Sequence, residues 1–184
     1  MNLRSTCFIT LALIATACSR ADMAALAPEV QGEGPCRLLT TAEVQRAFPG
    51  SKAGRVDRSQ EKNGVVSCLW DYPTGRFSII TGTDAPEPAK AEARGWTLIF
   101  LDPLRNDAER HVRYESLAGV GDEAIAIVEP QDKAKGFIQN GAILVVRRAQ
   151  QQVSAMSTDL ARRERGEALQ VFADLGRAIA KRLE

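Results

Sequence analysis

One histidine in 184 residues leaves little room for imidazole chemistry. The chain has no CxxC and no HxxxH spacing. A zinc-type site would have to be assembled from His111 and scattered cysteines, and no metal or cofactor is implied. No GxSxG elbow is present, and His111 lies in the polar run Arg110-His111-Val112-Arg113, which reads as solvated surface rather than part of a Ser–His triad. Aromatic residues make up only 5% of the chain. Charge of one sign is also missing, with 24 Lys and Arg against 23 Asp and Glu. That balance argues against a broad electrostatic grip on nucleic acid or on anionic lipid. Beyond the N-terminus no apolar run is long enough for a transmembrane helix.

The N-terminus is where hydrophobicity concentrates. Arg4 precedes the apolar run Phe8 to Ile14, which is followed by the small residues Ala15-Thr16-Ala17 and then Cys18. A basic end, a short apolar stretch and small residues before a cleavage point predict a secretory signal peptide over residues 1–17. The apolar run is too short for a permanent membrane span. Ala15-Thr16-Ala17-Cys18 resembles the lipobox of bacterial lipoproteins, although leucine is commoner where Ala15 stands. That resemblance makes Cys18 the lipidated first residue of the mature protein and the point of contact with the membrane. Ordinary secretion with cleavage nearby is the alternative. Several acyl chains would anchor firmly, since each buried methylene contributes about 0.8 kcal/mol. Ser19, where diderm sorting rules would place aspartate for retention, directs such a protein to the outer membrane of a host that has one.

Loss of residues 1–17 removes Arg4 and Cys7 and leaves equal numbers of acidic and basic residues. With Cys18 as the anchor, Cys36 and Cys68 remain, in a compartment that oxidises thiols. A disulfide between them closes a loop of about 33 residues, valued by chain entropy at about 3.7 kcal/mol; two buried free thiols are the alternative. Residues 18–35 are small, polar and broken by Pro28, Gly32, Gly34 and Pro35, and they read as a flexible tether of about 20–25 Å relaxed reach. Residues 36–184 are enough for one globular domain.

That domain opens with a short helix. Thr40 and Glu43 have capping-box spacing, Leu39 and Val44 the spacing of a hydrophobic staple, and Pro49-Gly50 ends the element. Residues 51–64 read as a loop. Val65 to Tyr72 alternates, with Val66, Cys68, Trp70 and Tyr72 on one apolar face, and Pro73-Thr74-Gly75 turns it into a second strand over Arg76 to Thr81. Pro88 before Ala89 to Arg94 suggests a short helix, whereas Trp96 to Leu101 is open between helix and strand. Strands follow at Ala124 to Val128, Ala142 to Arg148 and Gln152 to Ser157, with Asn140-Gly141 as a turn. The chain closes on an amphipathic helix with Leu169, Phe172, Leu175, Ile179 and Leu183 on one face. The expected fold is α+β: a single domain with a largely antiparallel sheet flanked by an N-terminal short helix and a C-terminal amphipathic helix.

Three patches carry a family resemblance: Cys36-Arg37-Leu38-Leu39-Thr40-Thr41-Ala42-Glu43-Val44, Cys68-Leu69-Trp70, and Leu117-Ala118-Gly119-Val120-Gly121-Asp122-Glu123-Ala124. Together they resemble a group of bacterial lipoproteins of unknown function, best known from actinobacteria, that combine a lipobox with a paired-cysteine α+β domain. A more distant resemblance is to extracytoplasmic sensor domains of some membrane kinases. The likeness covers residues 36–184, departs from the usual pattern at Ala15 and over 84–116, and brings no catalytic residues with it.

Residue patterns that suggest chemistry each have a structural explanation. Gly119-Val120-Gly121 lacks the third glycine of a dinucleotide fingerprint, and Asp122-Glu123 puts negative charge where phosphate would sit, so a tight turn is expected. As neighbours entering a strand, Asp122 and Glu123 diverge and cannot act as a carboxylate pair. Arg162-Arg163-Glu164-Arg165 reads as an exposed helix opening, and Trp96 and Phe100 read as core. Two functional classes remain. The first is a non-catalytic envelope lipoprotein, on the extracytoplasmic or periplasmic side, binding a partner protein or small ligand. The second is a cell-envelope hydrolase with an unrecognised active site.

Overall fold

The computed structural model describes residues 32–82, 88, 89, 91, 92, 114–128 and 141–183. Residues 1–31, which include the expected signal peptide, Cys18 and most of the expected tether, lie outside the described residues, as do Trp96, Phe100, His111 and Asn140. Chain order begins with a 3-10 turn at Gly34–Leu38, in which Pro35 is already buried. Helix α1 (Thr41–Ala47) follows, then strands β1 (Arg55–Asp57), β2 (Val65–Tyr72) and β3 (Gly75–Gly82). The second half holds β4 (Tyr114–Ser116), β5 (Glu123–Val128), β6 (Ala142–Arg148), β7 (Gln151–Ser157) and helix α2 (Arg165–Ala180). The architecture is the expected α+β domain: one antiparallel sheet with a short N-terminal helix and a longer C-terminal one.

Two antiparallel meanders meet in the middle of this sheet. The chain steps β1-β2-β3 from one edge to the centre, reappears at the opposite edge as β4, and returns through β5 and β6 to β7, which pairs with β3. The seam aligns Phe77 with Ser157 and Ile79 with Ala155. Both described edge strands have only three residues, which limits the unpaired backbone offered to another chain.

β1 corrects the reading of 51–64 as loop throughout. Arg55, Val56 and Asp57 pair with Leu69, Cys68 and Ser67, and a 3-10 turn follows at Glu61–Asn63. Three residues with one apolar side chain carry no alternation to detect; the free edge of β2 is what makes them a strand.

α1 starts where the capping box places it. Glu43 N donates to Thr40 Oγ1 (3.2 Å) and Thr40 N donates to Glu43 Oε2 (2.7 Å), so two otherwise orphaned donors are satisfied. The helix stops at Phe48, whose N–H donates to Val44 O and whose carbonyl accepts from Ser51 Oγ. α1, α2 and the first 3-10 turn cover one face of the sheet. The core there groups the aromatic side chains of Phe48, Trp70, Tyr72 and Phe77. Phe48 lies 4.8 Å from Tyr72 and 5.2 Å from Phe77, ring centre to ring centre, and Trp70 is 5.7 Å from Phe77. From α2, Phe172, Leu175 and Ile179 are fully buried, each contributing about 1.5–3 kcal/mol of transfer free energy.

Arg148 and Arg182 tie the end of α2 to the sheet and to the start of the domain. Arg148 Nη1 donates to Ala180 O (2.6 Å) and Arg182 Nη1 to Leu38 O (3.3 Å). At its other end Arg165 donates to Val128 O (2.9 Å) and pairs with Glu115. Among the described residues no helix is long and apolar enough to cross a membrane.

Candidate functional site

Cys36 and Cys68 are joined, with Cα atoms 5.0 Å apart. β2 turns Cys68 toward the helix-covered face, and the 3-10 turn lays Cys36 over it, leaving the two residues 3% and 0% exposed. The bridge ties the first turn of the domain to β2, the strand next to the edge strand β1. Trp70 lies two residues along the same face. A Cβ built on Gly54, the residue before β1, would come within 2.7 Å of the indole Nε1 and 2.9 Å of Cys68 Sγ, so this corner is closed by backbone alone. Trp70 Nε1 is buried with no hydrogen-bond partner among the described residues.

The glycine pair of Gly119-Val120-Gly121 serves a turn that inserts a side chain into the core. Val120 is 1% exposed and packs against Gly176 of α2. Gly121 has φ +60°, and a Cβ there would lie 2.4 Å from Arg147 O. Asp122 then closes the turn onto the β6–β7 hairpin: its N–H donates to Arg147 O (2.9 Å), and its carboxylate accepts from Ala149 N (2.7 Å). Glu123 points to the other face, accepting from Ala89 N (3.1 Å) and pairing with Arg147 (3.2 Å). The two carboxylates therefore have separate, structural partners.

The arginine cluster before α2 is likewise engaged. Arg163 Nη2 donates to Ala47 O (2.9 Å), Nη1 donates to Glu167 (3.1 Å), and the guanidinium sits 5.5 Å over the Phe48 ring. Arg165 is held by Val128 and Glu115, and Arg162 is exposed. Next to this cluster Ser157 Oγ accepts from Asp159 N and Leu160 N and meets the Tyr72 hydroxyl at 3.2 Å. Burial pushes the Tyr72 phenol up from its ordinary value, against the lowering effect of the Ser157 bond. A serine hydroxyl occupied by two backbone donors is capping a turn, not waiting for a substrate.

Residue-by-residue reading of the sequence did not anticipate the polar group on the opposite face of the sheet. Ala89 packs there on Ile125, Ile127, Ile143 and Val145, with Tyr114 and Met156 beside them. One turn on, Glu92 accepts from Gln152 Nε2 and Ser154 Oγ, next to the Glu123–Arg147 pair. Arg147 Nε and Gln152 Oε1 are buried without a partner among the described residues. The alternation of β6 and β7 does put Arg147, Gln152 and Ser154 opposite the core-facing Val146, Val153 and Ala155. What no local pattern supplies is Glu92, sixty residues away from Gln152. Hydrogen bonds from Ala89 N to Glu123 and from Gln152 and Ser154 to Glu92 attach this turn to the sheet.

Among the described residues no three His, Cys, Asp or Glu side chains group as metal ligands. No family model, curated protein or solved structure matches the chain. The class defined by these observations is a disulfide-bridged α+β domain built on one antiparallel sheet.

Proposed function

We propose that this is a membrane-anchored bacterial envelope lipoprotein, tethered through lipidated Cys18, whose domain binds a partner protein or small ligand without catalysing a reaction on it. The observation that carries the compartment is the Cys36–Cys68 bridge. Structural disulfides persist where thiols are oxidised, which is the environment a signal peptide leads to. The lipobox-like Ala15-Thr16-Ala17-Cys18 supplies the anchor, and residues 19–33, ahead of the 3-10 turn that takes in Gly34 and Pro35, the tether. The binding reading is supported by how the chemically suggestive residues are used. Gly119 to Asp122 builds a core-plugging turn, Arg163 and Arg165 staple α2, and Ser157 caps a turn.

Acyl labelling and N-terminal mass analysis test the anchor. The wild-type protein should carry acyl mass on Cys18, and Cys18→Ser should lose it and accumulate as precursor or released protein. Membrane-purified wild type with an unacylated N-terminus contradicts the reading. For the domain, capture from native envelope extract should retain a partner or ligand in saturable fashion, and His111→Ala should leave that capture nearly unchanged. Turnover of peptidoglycan fragments, esters or phosphoesters that a single side-chain replacement abolishes without unfolding makes the protein an enzyme instead.

A further inference from the structure

We propose that the Cys36–Cys68 bridge has to be made on the unfolded chain by a disulfide-class oxidant, and that folding then seals it from thiols until the whole domain opens. Both cysteines are buried, at 3% and 0% exposure. Exchange requires a thiolate to approach one sulfur while the other departs. That approach is blocked on the β1 side, where even a methyl group on Gly54 would meet Cys68 Sγ at 2.9 Å.

On its other side the bridge is covered by the 3-10 turn, which is not a loose flap. Pro35, Cys36 and Leu38 of that turn are buried, and the Leu39 that follows is 1% exposed. Arg182 donates to Leu38 O and pairs with Glu43, which in turn holds Thr40. Peeling back this turn therefore uncovers Leu38 and Leu39 and breaks the contact with the end of α2. The free energy needed approaches that of unfolding the domain, which is the high end of the opening scale.

The same burial shields the two thiols in a folded reduced domain. Oxidation then belongs to the unfolded chain. One cysteine thiolate attacks the oxidant's disulfide, forms a mixed disulfide and releases one oxidant thiolate. The second cysteine thiolate attacks the mixed disulfide at the protein sulfur, closes Cys36–Cys68 and releases the other. Two protein thiols lose two electrons and two protons, and the oxidant leaves as a dithiol. The inference is independent of the lipid anchor and of what the domain binds.

The test is the reduction rate of the oxidised full chain in dithiothreitol, followed by alkylation and mass, at reductant low enough for the rate to stay proportional to it. Reduction should be slower than in denaturing urea by a factor of about 1,000 or more, the inverse of a stable domain's open fraction. Its logarithm should rise with urea at the slope of equilibrium unfolding monitored by tryptophan fluorescence. A urea-independent rate, or a smaller slope, overturns the proposal by showing that thiols reach the bridge through local detachment. The reverse reaction gives a second arm. Reduced chain whose oxidation rate rises with urea at the slope of its own unfolding supports the proposal. Reduced chain that folds and is then oxidised with no dependence on urea overturns it.

Discussion

Val120 occupies the space that a side chain at Gly176 would need: a Cβ there would lie 2.7 Å from Val120 Cγ1. The glycine in the middle of α2 is a notch that admits the plug from the Gly119–Gly121 turn. Gly176→Ala gains about 1 kcal/mol of helix propensity but meets a β-branched side chain with nowhere to go, and overpacking of that kind costs about 1–3 kcal/mol. The variant should be less stable by about 1 kcal/mol in urea unfolding. Val120→Ala removes the obstruction, so in that background Gly176→Ala should be neutral or stabilising. Equal effects in the two backgrounds would show that the residues are not coupled.

Ala149 is the non-glycine residue with positive φ among those described, at 51°. It sits in the β6–β7 turn, where its N–H donates to Asp122 Oδ2. Glycine adopts that conformation without the Cβ clash, at the expense of more chain entropy on folding. Ala149→Gly should therefore raise stability by about 0.5 kcal/mol, read as a shift of the urea midpoint at constant slope. Asp122→Ala removes the acceptor and should lower stability by about 1 kcal/mol.

How much of this fold the sequence announces depends on the range of the interaction responsible. The capping box Thr40–Glu43, the β2–β3 hairpin around Pro73-Thr74-Gly75 and the apolar face of α2 are local patterns, and each appears where the pattern puts it. Cys36 with Cys68 was legible from the cysteine count and the expected oxidising compartment rather than from geometry. The short edge strands were not legible, because Arg55–Asp57 and Tyr114–Ser116 take their conformation from a neighbour's free backbone. The β3–β7 pairing and the Glu92–Ser154 contact join distant segments, and Gly176 reads as an ordinary helix defect until Val120 is seen against it.

Glu43 gives the domain a pH-dependent joint. Burial raises its pKa, but hydrogen bonds from Thr40 and Arg182, together with the arginine's charge, outweigh burial and leave the carboxyl below its ordinary value of 4.5. A depressed folded pKa stabilises the fold above the unfolded value and loses that contribution as pH falls through the folded one. Stability from this residue should thus be full at neutral pH and decline below about 4.5, as the capping box and the Arg182 pair are protonated away. Glu43→Gln should be less stable than wild type at neutral pH, with the difference shrinking on acidification. A difference that stays constant with pH would mean that the carboxylate's charge contributes nothing.

Replacing both bridge cysteines tests the disulfide as a stabiliser. The pair Cys36→Ser and Cys68→Ser removes the cross-link from the unfolded ensemble and places two hydroxyls in a buried corner closed by Gly54 and Trp70. Loss of the link alone costs about 2–5 kcal/mol in a domain of this type. The hydroxyls add the desolvation penalty of buried unpaired polar groups, about 1–3 kcal/mol. Cys36→Ala with Cys68→Ala omits that second cost and should fall between wild type and the serine pair. Wild type reduced in denaturant and returned to native buffer supplies the third reference, since it lacks the link but keeps the sulfur atoms. The expected order of urea midpoints is oxidised wild type, reduced wild type or the alanine pair, then the serine pair. Midpoints that coincide for oxidised and reduced wild type would show that the bridge contributes no stability, whatever its burial.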